Sequence, residues 1–428
     1  MAFIRRRASP ICEHAGGETG LLGLLTASRL RLYGCAVAAI YACFFVSVYR
    51  AGSWIVGSVG APVYTDFACG WIAAVQALNG QAASLYDPAS FTAVQAAFVG
   101  PREDLYPNWP YPPTFLLIMA PFAALPYFYA FVAWDVMTLL GCLIVVYAII
   151  RRPAAIAVVL ASPFTAWNFL AAQNGFLTAS LVGASLLALE RRPALAGVLI
   201  GCLTYKPQFG VLFPVALVAA KQWRAIASAA ITTALLAGAS LAMFGAGAWG
   251  AFPRELLAQT DLNLLAGPDG NWGYLQSVYG LARTFLGGAR LASLAQGLTT
   301  LAAAIVVWVV WRSRTRFSLK AAILSAAALI ATPYAFAYDM AALMIPAAFL
   351  ARDQINRGWL AGEPAVAVGL FGAALALLVI LGDAPGRVTF GSTPTGVFAA
   401  LVLSGLILRR VCRMERPAIS AGALSRIS

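Results

Sequence analysis

An all-α, polytopic membrane protein is the fold class this sequence predicts, and three observations predict it. The 428 residues are 61% hydrophobic and only 11% charged, far from the balance of a soluble domain. The apolar residues come in long Ala-, Leu- and Val-rich runs without period-two alternation, which argues for membrane helices and against a membrane barrel. The net charge of +13 sits in short basic clusters between those runs. That is how a topology signal is placed, and nucleic acid is not an expected partner.

The chain reads as a single integral membrane domain. Residues 1–32 form a basic tail without a cleavable signal, and a first crossing follows over 33–56. Residues 60–113 form a first outer loop with an acid, Asp66, just past that crossing, a short helix, a Leu85-Tyr86-Asp87-Pro88 turn and an aromatic, proline-rich end. The apolar run 114–125 is too short to span and reads as re-entrant or half-length. A full crossing covers 127–150, and short apolar pieces follow at 154–165, 176–189, 194–205 and 208–220. A crossing at 225–244 leads to a second outer loop, 245–290, with Trp249, Asp261, Asn271 and Trp272. Then come a crossing at 291–311, a hairpin at 321–351, two crossings at 364–381 and 395–408, and a tail at 411–428. Counting every arm gives about 12 crossings plus one re-entrant piece. Most of the 29 Lys and Arg residues then fall on one side, which makes that side, with both termini, cytoplasmic. Asp66, Asp87, Glu103, Asp104, Asp261, Asp269 and Asp339 fall on the other.

The hairpins are too short for that count to be literal. A spanning helix needs about 20 residues, so a pair needs about 40. From Arg192 to Lys221, and again from Lys320 to Arg352, there are fewer. At 1.5 Å per residue the Lys206 apex lies about 20 Å from the cytoplasmic face. Such a tip does not reach the outer water, so it must be buried or line a cavity. Its residues suit a cavity: Gln173-Asn174-Gly175, Lys206-Pro207-Gln208, and Thr332-Pro333-Tyr334 with Tyr338-Asp339. Three polar apices at similar depth predict one cavity sunk into the membrane from the outer side, facing the Asp66 loop.

These segments also resemble a known family. TDFACGW after the first helix, LYDP twenty residues on, YPPTFLLIMAPFAALP, QNGFLTASLV, AGVLIGCLTYKPQFGVLFP and the late TPYAFAYDMAAL resemble bacterial glycosyltransferase family 87, in order and spacing more than in any one motif. The resemblance implies a GT-C fold, a multi-helix membrane enzyme with its active site at the outer face. Family members resemble mannosyltransferases that use a polyprenyl-phosphate-mannose donor and a lipid or glycan acceptor in the bacterial cytoplasmic membrane. The family's catalytic acid in the first outer loop maps onto Asp66. A histidine expected near the late apex is replaced here by Tyr338-Asp339, which leaves the sugar and acceptor open.

On this reading Asp66 is the general base, at hydrogen-bond distance from an acceptor hydroxyl; its alternative is to cap the helix that follows. Lys206 binds the departing phosphate as a point charge, because a charge at that depth marks a functional site. Gln173, Asn174 and Gln208 orient sugar hydroxyls or bond helix to helix. Tyr338 and Asp339 join them, Asp339 as a second acid, a sugar ligand or a metal ligand. Tyr86 and Asp87 either shape the acceptor site or form a plain turn. Tyr106, Trp109 and Tyr111 read first as an interfacial aromatic belt, with stacking on a sugar as their second reading. Asp135 is expected to pair inside the bundle, and Arg254, Arg283 and Arg290 to sit at the surface.

No GxxxxGK[ST] loop or Rossmann glycine fingerprint occurs, so no nucleotide or other cofactor is expected. The seven cysteines form no Cys-x-x-Cys pair, and His14, in the N-terminal tail, is the single histidine, so no zinc site is expected. Two rivals remain: a secondary transporter, disfavoured by the absence of an internal repeat, and a polysaccharide polymerase or ligase, disfavoured by the few arginines in the second loop.

Overall fold

The computed structural model describes residues 23, 25–57, 60–101, 105, 109–266, 271–382 and 395–415. Glu103, Asp104, Tyr106, Asp269, His14 and most of both tails lie outside the described residues.

Thr26 opens α1 (Ala27–Arg50). The loop after α1 is mostly helical among its described residues. Thr65 caps α2 (Asp66–Leu78) by accepting from the Ala68 amide. A 3-10 turn (Ala82–Tyr86) follows, then α3 (Pro88–Val99), capped by Asp87 and begun by a proline whose missing N–H costs nothing at that position. Next come α4 (Pro113–Ala123) and α5 (Tyr127–Ile150). α6 (Ala154–Leu160) and α7 (Pro163–Ala171) meet at a bend of 59°, where Pro163 prevents one continuous helix. α8 (Gly175–Leu189), α9 (Pro193–Gly201) and α10 (Phe213–Ala219) form half-length hairpin arms. α11 (Trp223–Thr260) kinks at Gly245, whose φ of 81° no L-residue adopts cheaply. The second loop therefore starts as helix and continues through α12 (Val278–Leu286). α13 (Ala289–Arg312), α14 (Phe317–Ile330), α15 (Met344–Arg357), α16 (Glu363–Gly382) and α17 (Thr395–Glu415) complete the chain.

The all-helical membrane class is as expected, and the arm lengths refine the count. Among the described residues five helices, α1, α5, α11, α13 and α17, are long and apolar enough to cross a bilayer, and the α6–α7 pair, bent by 59°, has the length and composition of a broken span or a re-entrant loop. The hairpin arms are shorter: α8 has 15 residues, α14 and α15 have 14 each, and α10 has 7. At 1.5 Å per residue, 14 residues reach about 21 Å, short of the roughly 30 Å hydrocarbon core.

Lipid-facing and buried helices differ in composition as the physics requires. α1, α11 and α13 present Ile40, Leu235, Leu294 and Leu301 outward, an apolar exterior that only lipid covers well. α14 is surrounded by protein from Ala321 to Ile330; a helix buried on every face is apolar on every face. A second core, rich in rings, sits under the loop after α1. There Trp54, Phe67, Phe131 and Trp134 pack edge to face or tilted. Asp135, one residue on, is 1% exposed, and neither carboxylate oxygen has a hydrogen-bond partner. The expected pairing inside the bundle is therefore not made.

Charges are gathered where α14, α15, α16 and α17 come together, away from the apices. Arg316 grips Asp353 in a fork, Nε to Oδ1 at 2.7 Å and Nη2 to Oδ2 at 2.9 Å. Arg410, 4% exposed, bonds Asp353 at 2.8 Å and Glu363 at 2.7 and 2.6 Å. Gln354 and the Leu360 amide complete Glu363.

Candidate functional site

A cleft of about 920 Å³ opens between the loop after α1 and the hairpin apices, within the range of small-molecule sites. Its polar lining includes five pieces of chain that carry the sequence candidates, joined by Tyr334 and by Asn263 and Tyr274 of the second loop. Asp66 comes from the first turn of α2, Tyr111 from the loop before α4, Gln173 and Asn174 from the α7–α8 turn, Lys206 and Gln208 from the α9–α10 turn, and Tyr338 from the stretch before α15. Among the described residues Asp66 is the only carboxylate and Lys206 the only cation in this lining.

Local sequence explains how each apex is held. Ala172 adopts the left-handed region at φ 48°, an arrangement that costs a non-glycine residue about 1 kcal/mol or more. Its carbonyl accepts from the buried Trp134 indole at 3.0 Å. This reversal ends α7 and delivers Gln173 and Asn174 to the cleft. Asn168 braces the same turn: its amide donates to the Gln173 carbonyl at 3.2 Å and its oxygen accepts from the Gly175 amide at 3.0 Å. Gly175 is required by close approach, since a Cβ there would lie 2.1 Å from the Tyr338 carbonyl oxygen. At the second apex, prolines at 207 and 214 and two 3-10 turns keep the chain from forming a continuous helix through Lys206.

One hydrogen-bond path joins the Asp66 carboxylate to the Lys206 ammonium. Gln173 donates from its amide to Asp66 Oδ2 at 3.1 Å. The Gln173 oxygen accepts from the Asn174 backbone at 3.2 Å and from the Tyr111 hydroxyl at 3.4 Å. Asn174 donates from Nδ2 to that hydroxyl at 2.8 Å and accepts at Oδ1 from Lys206 Nζ at 2.8 Å. Lys206 in turn contacts Asp339 Oδ1 at 2.5 Å. Every amide orientation in this path is fixed by its neighbours. Burial, and then the Asp339 charge, push the Tyr111 hydroxyl well above the usual tyrosine range, so it stays protonated and remains a donor to Gln173.

Aromatic rings form the rest of the wall. Phe115 lies nearly parallel to Trp109, centroids 5.7 Å apart at 9°, and stacks on Tyr205 at 5.0 Å. The Lys206 ammonium sits 4.6 Å from the centre of the Tyr338 ring, a favourable cation–π distance. Tyr205 is fully buried and its hydroxyl bonds Thr178 at 2.6 Å.

The candidates from the sequence therefore divide. Asp66, Tyr111, Gln173, Asn174, Lys206, Gln208 and Tyr338 converge on one cleft. Asp339 does not line it: the carboxylate is fully buried behind Lys206, and its Oδ2 accepts from the Phe336 amide at 3.0 Å. Tyr86 and Asp87 also lie outside the lining. Asp87 is exposed and caps α3, while the Tyr86 hydroxyl braces the loop by donating to the Tyr111 carbonyl at 2.9 Å. The capping reading of Asp66 falls to its neighbour, since Thr65 is the N-cap. Trp109 and Tyr111 form no interfacial belt; Trp109 is 1% exposed and both face the cleft. Arg254 and Arg290 are exposed, and Arg283 spends its guanidinium on the Ala266 and Gly287 carbonyls. Asn168, Tyr205 and Trp134 escaped the sequence reading. Asn168 was the most visible, an amide inside the apolar TAWNFLA run.

A helical bundle with half-length arms and a polar cleft at their apices defines a polytopic membrane protein with a candidate site at that cleft. The sequence profile of glycosyltransferase family 87 matches residues 109–333, more than half of the chain, and the protein belongs to that family: it is a membrane glycosyltransferase. The matched stretch contains Tyr111, Gln173, Asn174, Lys206 and Gln208, while Asp66 and Tyr338 lie on either side of it. No curated protein and no solved structure matches the chain.

Proposed function

We propose that the protein transfers a sugar, mannose in the first instance, from a polyprenyl-phosphate donor to a lipid or glycan acceptor at the outer face of the bacterial cytoplasmic membrane. Asp66 is the general base. The observation that carries this reading is the convergence of one carboxylate, Asp66, and one ammonium, Lys206, on a single cleft through Gln173 and Asn174.

The parts match the reaction's demands. Asp66 takes the proton from an acceptor hydroxyl as the oxygen forms its bond to the anomeric carbon. The bond from that carbon to the phosphate oxygen breaks, and its electron pair leaves with the phosphate. Lys206 stands at the charge that develops there. A phosphate is a good leaving group, so one base suffices without a second acid, and a single displacement inverts the anomeric centre. Gln173, Asn174, Gln208 and Tyr338 offer hydrogen bonds to sugar hydroxyls. The Trp109, Phe115 and Tyr205 wall suits a sugar face and the first isoprene units of a lipid. The clustering of basic residues opposite the apices supports an outer-facing cleft with both termini cytoplasmic.

The test is sugar transfer by membranes from cells overproducing the chain, with labelled polyprenyl-phosphate-mannose as donor. Wild-type membranes are expected to label an acceptor. Asp66→Asn, at equal protein level, is expected to lose about 10²- to 10⁴-fold of that activity. Equal transfer by both removes Asp66 from catalysis. No transfer by the wild type overturns this donor.

A further inference from the structure

Asp339 has no place in the reaction just described, yet it is among the most enclosed charges in the protein. It is fully buried and its oxygens are committed inside the fold, Oδ1 to Lys206 and Oδ2 to the Phe336 amide. It cannot touch a ligand in the cleft. Lys206 can: it lines the cleft, and two of an ammonium's three N–H bonds go to Asp339 and Asn174.

That arrangement sets how Lys206 meets a phosphate. A buried ammonium with no counterion lacks both water and a partner. An arriving phosphate would then supply all of the missing compensation and be held tightly before and after transfer alike. Binding both states equally gives no catalysis and slows departure. A resident carboxylate at 2.5 Å changes this, because part of the compensation is already in place and part of the incoming anion's gain is cancelled by repulsion. The other groups around the ammonium do not compete in this way. The Tyr338, Phe209 and Tyr111 rings, 4.6, 5.4 and 5.9 Å from it, are neutral, Tyr205 is a buried hydroxyl held by Thr178, and Asp66 is joined to it through Gln173 and Asn174.

We propose that Asp339 is the resident counterion of Lys206, a positioning residue that aims the ammonium at the cleft and limits how tightly it holds phosphate, so that the lipid phosphate left after transfer can depart. The inference rests on Lys206 meeting the donor phosphate. Asp339 acts through Lys206 and makes no contact with substrate.

Asp339→Asn tests it, in full-length protein in lipid nanodiscs with polyprenyl-phosphate-mannose. The amide removes the charge and keeps the shape. The donor KM is expected to fall about 3- to 10-fold while kcat falls about tenfold or more, with added polyprenyl phosphate inhibiting more strongly. Asp339→Glu, which keeps the charge, is expected to restore the wild-type KM. A merely structural role would leave KM unchanged or raise it, and either result in folded Asp339→Asn overturns the proposal. If that variant does not fold, Lys206→Met and the double variant Lys206→Met/Asp339→Asn decide. Removing both members of a buried pair is tolerated better than removing one. Their affinities for polyprenyl phosphate are expected to agree within about twofold; a larger difference means that Asp339 acts independently of Lys206 and overturns the inference. The donor assignment fails separately. A wild type that transfers nothing from this donor sinks it, while tighter binding of polyprenyl phosphate by Asp339→Asn than by wild type would still support the counterion.

Discussion

Two buried ionic groups sit at opposite ends of the α14–α15 hairpin, and they are built on different principles. At the arginine end Arg410 uses four of the guanidinium's five N–H groups, on Glu363, Asp353 and the Gly358 carbonyl. Glu363 and Asp353 are completed by Gln354, Leu360 and Arg316. This group closes on itself and ties four helices together. At the apex end Lys206 and Asp339 form a pair just as buried, but the ammonium borders a cleft of about 920 Å³ and leads through Asn174 and Gln173 to Asp66. Burial and pairing alone do not mark a functional site, since both groups have them. What separates the two is bonding capacity directed at an enclosed space.

The comparison is broken most directly by removing its closed member. Arg410→Ala leaves Glu363, buried at 0% exposure, without its cation and takes from Asp353, at 2%, one of its two cations. Breaking such a group from one side costs about 3–5 kcal/mol. The expected outcome is a large drop in unfolding temperature in detergent, with sugar transfer per folded molecule unchanged. If Arg410→Ala lowers transfer in protein that remains folded, the arginine end is not purely structural and the contrast fails.

Gly175→Ala probes the other end with a smaller effect on stability. The added Cβ must displace the Tyr338 carbonyl, 2.1 Å away, and the Asn168 oxygen at 2.6 Å. Overpacking of this kind costs about 1–3 kcal/mol. The strain falls on the turn that carries Gln173 and Asn174, so transfer is expected to fall by more than about tenfold, consistent with the sensitivity of catalysis to displacements near 1 Å. Transfer at the wild-type level would mean that the turn's geometry is not what orients Asp66 and Lys206.

Much of the cleft was legible in the sequence because hairpin length is a hard constraint. Arms of 7 to 15 residues cannot cross a bilayer, so their polar tips had to be buried or face a cavity. Hairpin length alone therefore points to Gln173, Asn174, Lys206 and Tyr338. Direction within the cleft was not legible. Nothing in TPYAFAYD says that Tyr338 turns to the cleft and Asp339 behind Lys206; a 3-10 helix over Ala337–Leu343 decides it, and local propensity does not specify so short an element. Trp109 and Tyr111 read as a belt because aromatic, proline-rich sequence looks alike whether it floats at an interface or packs inward. Asp135 resisted for the opposite reason. A charged residue in an apolar helix predicts a partner, and here both oxygens have none.

The smallest expected effect concerns the edge of the comparison, where an acid in the same loop as Asp66 does local work only. Asp87 is exposed, and hydrogen bonds from the Ser90 side chain and backbone hold its carboxyl below the usual carboxylate range. A group lowered in this way contributes stability above its unfolded pKa, about 4, and that contribution is lost as pH falls through the lowered value. Asp87→Ala should therefore flatten the acid side of the stability–pH curve slightly and leave transfer at neutral pH unaltered. The informative result would be the contrary one. Tyr86, beside it, reaches the Tyr111 carbonyl at 2.9 Å, so a loss of transfer in Asp87→Ala, with donor KM unchanged and acceptor KM raised, would mean that the start of α3 positions the acceptor side of the cleft. The functional region would then extend beyond the residues that border the cavity.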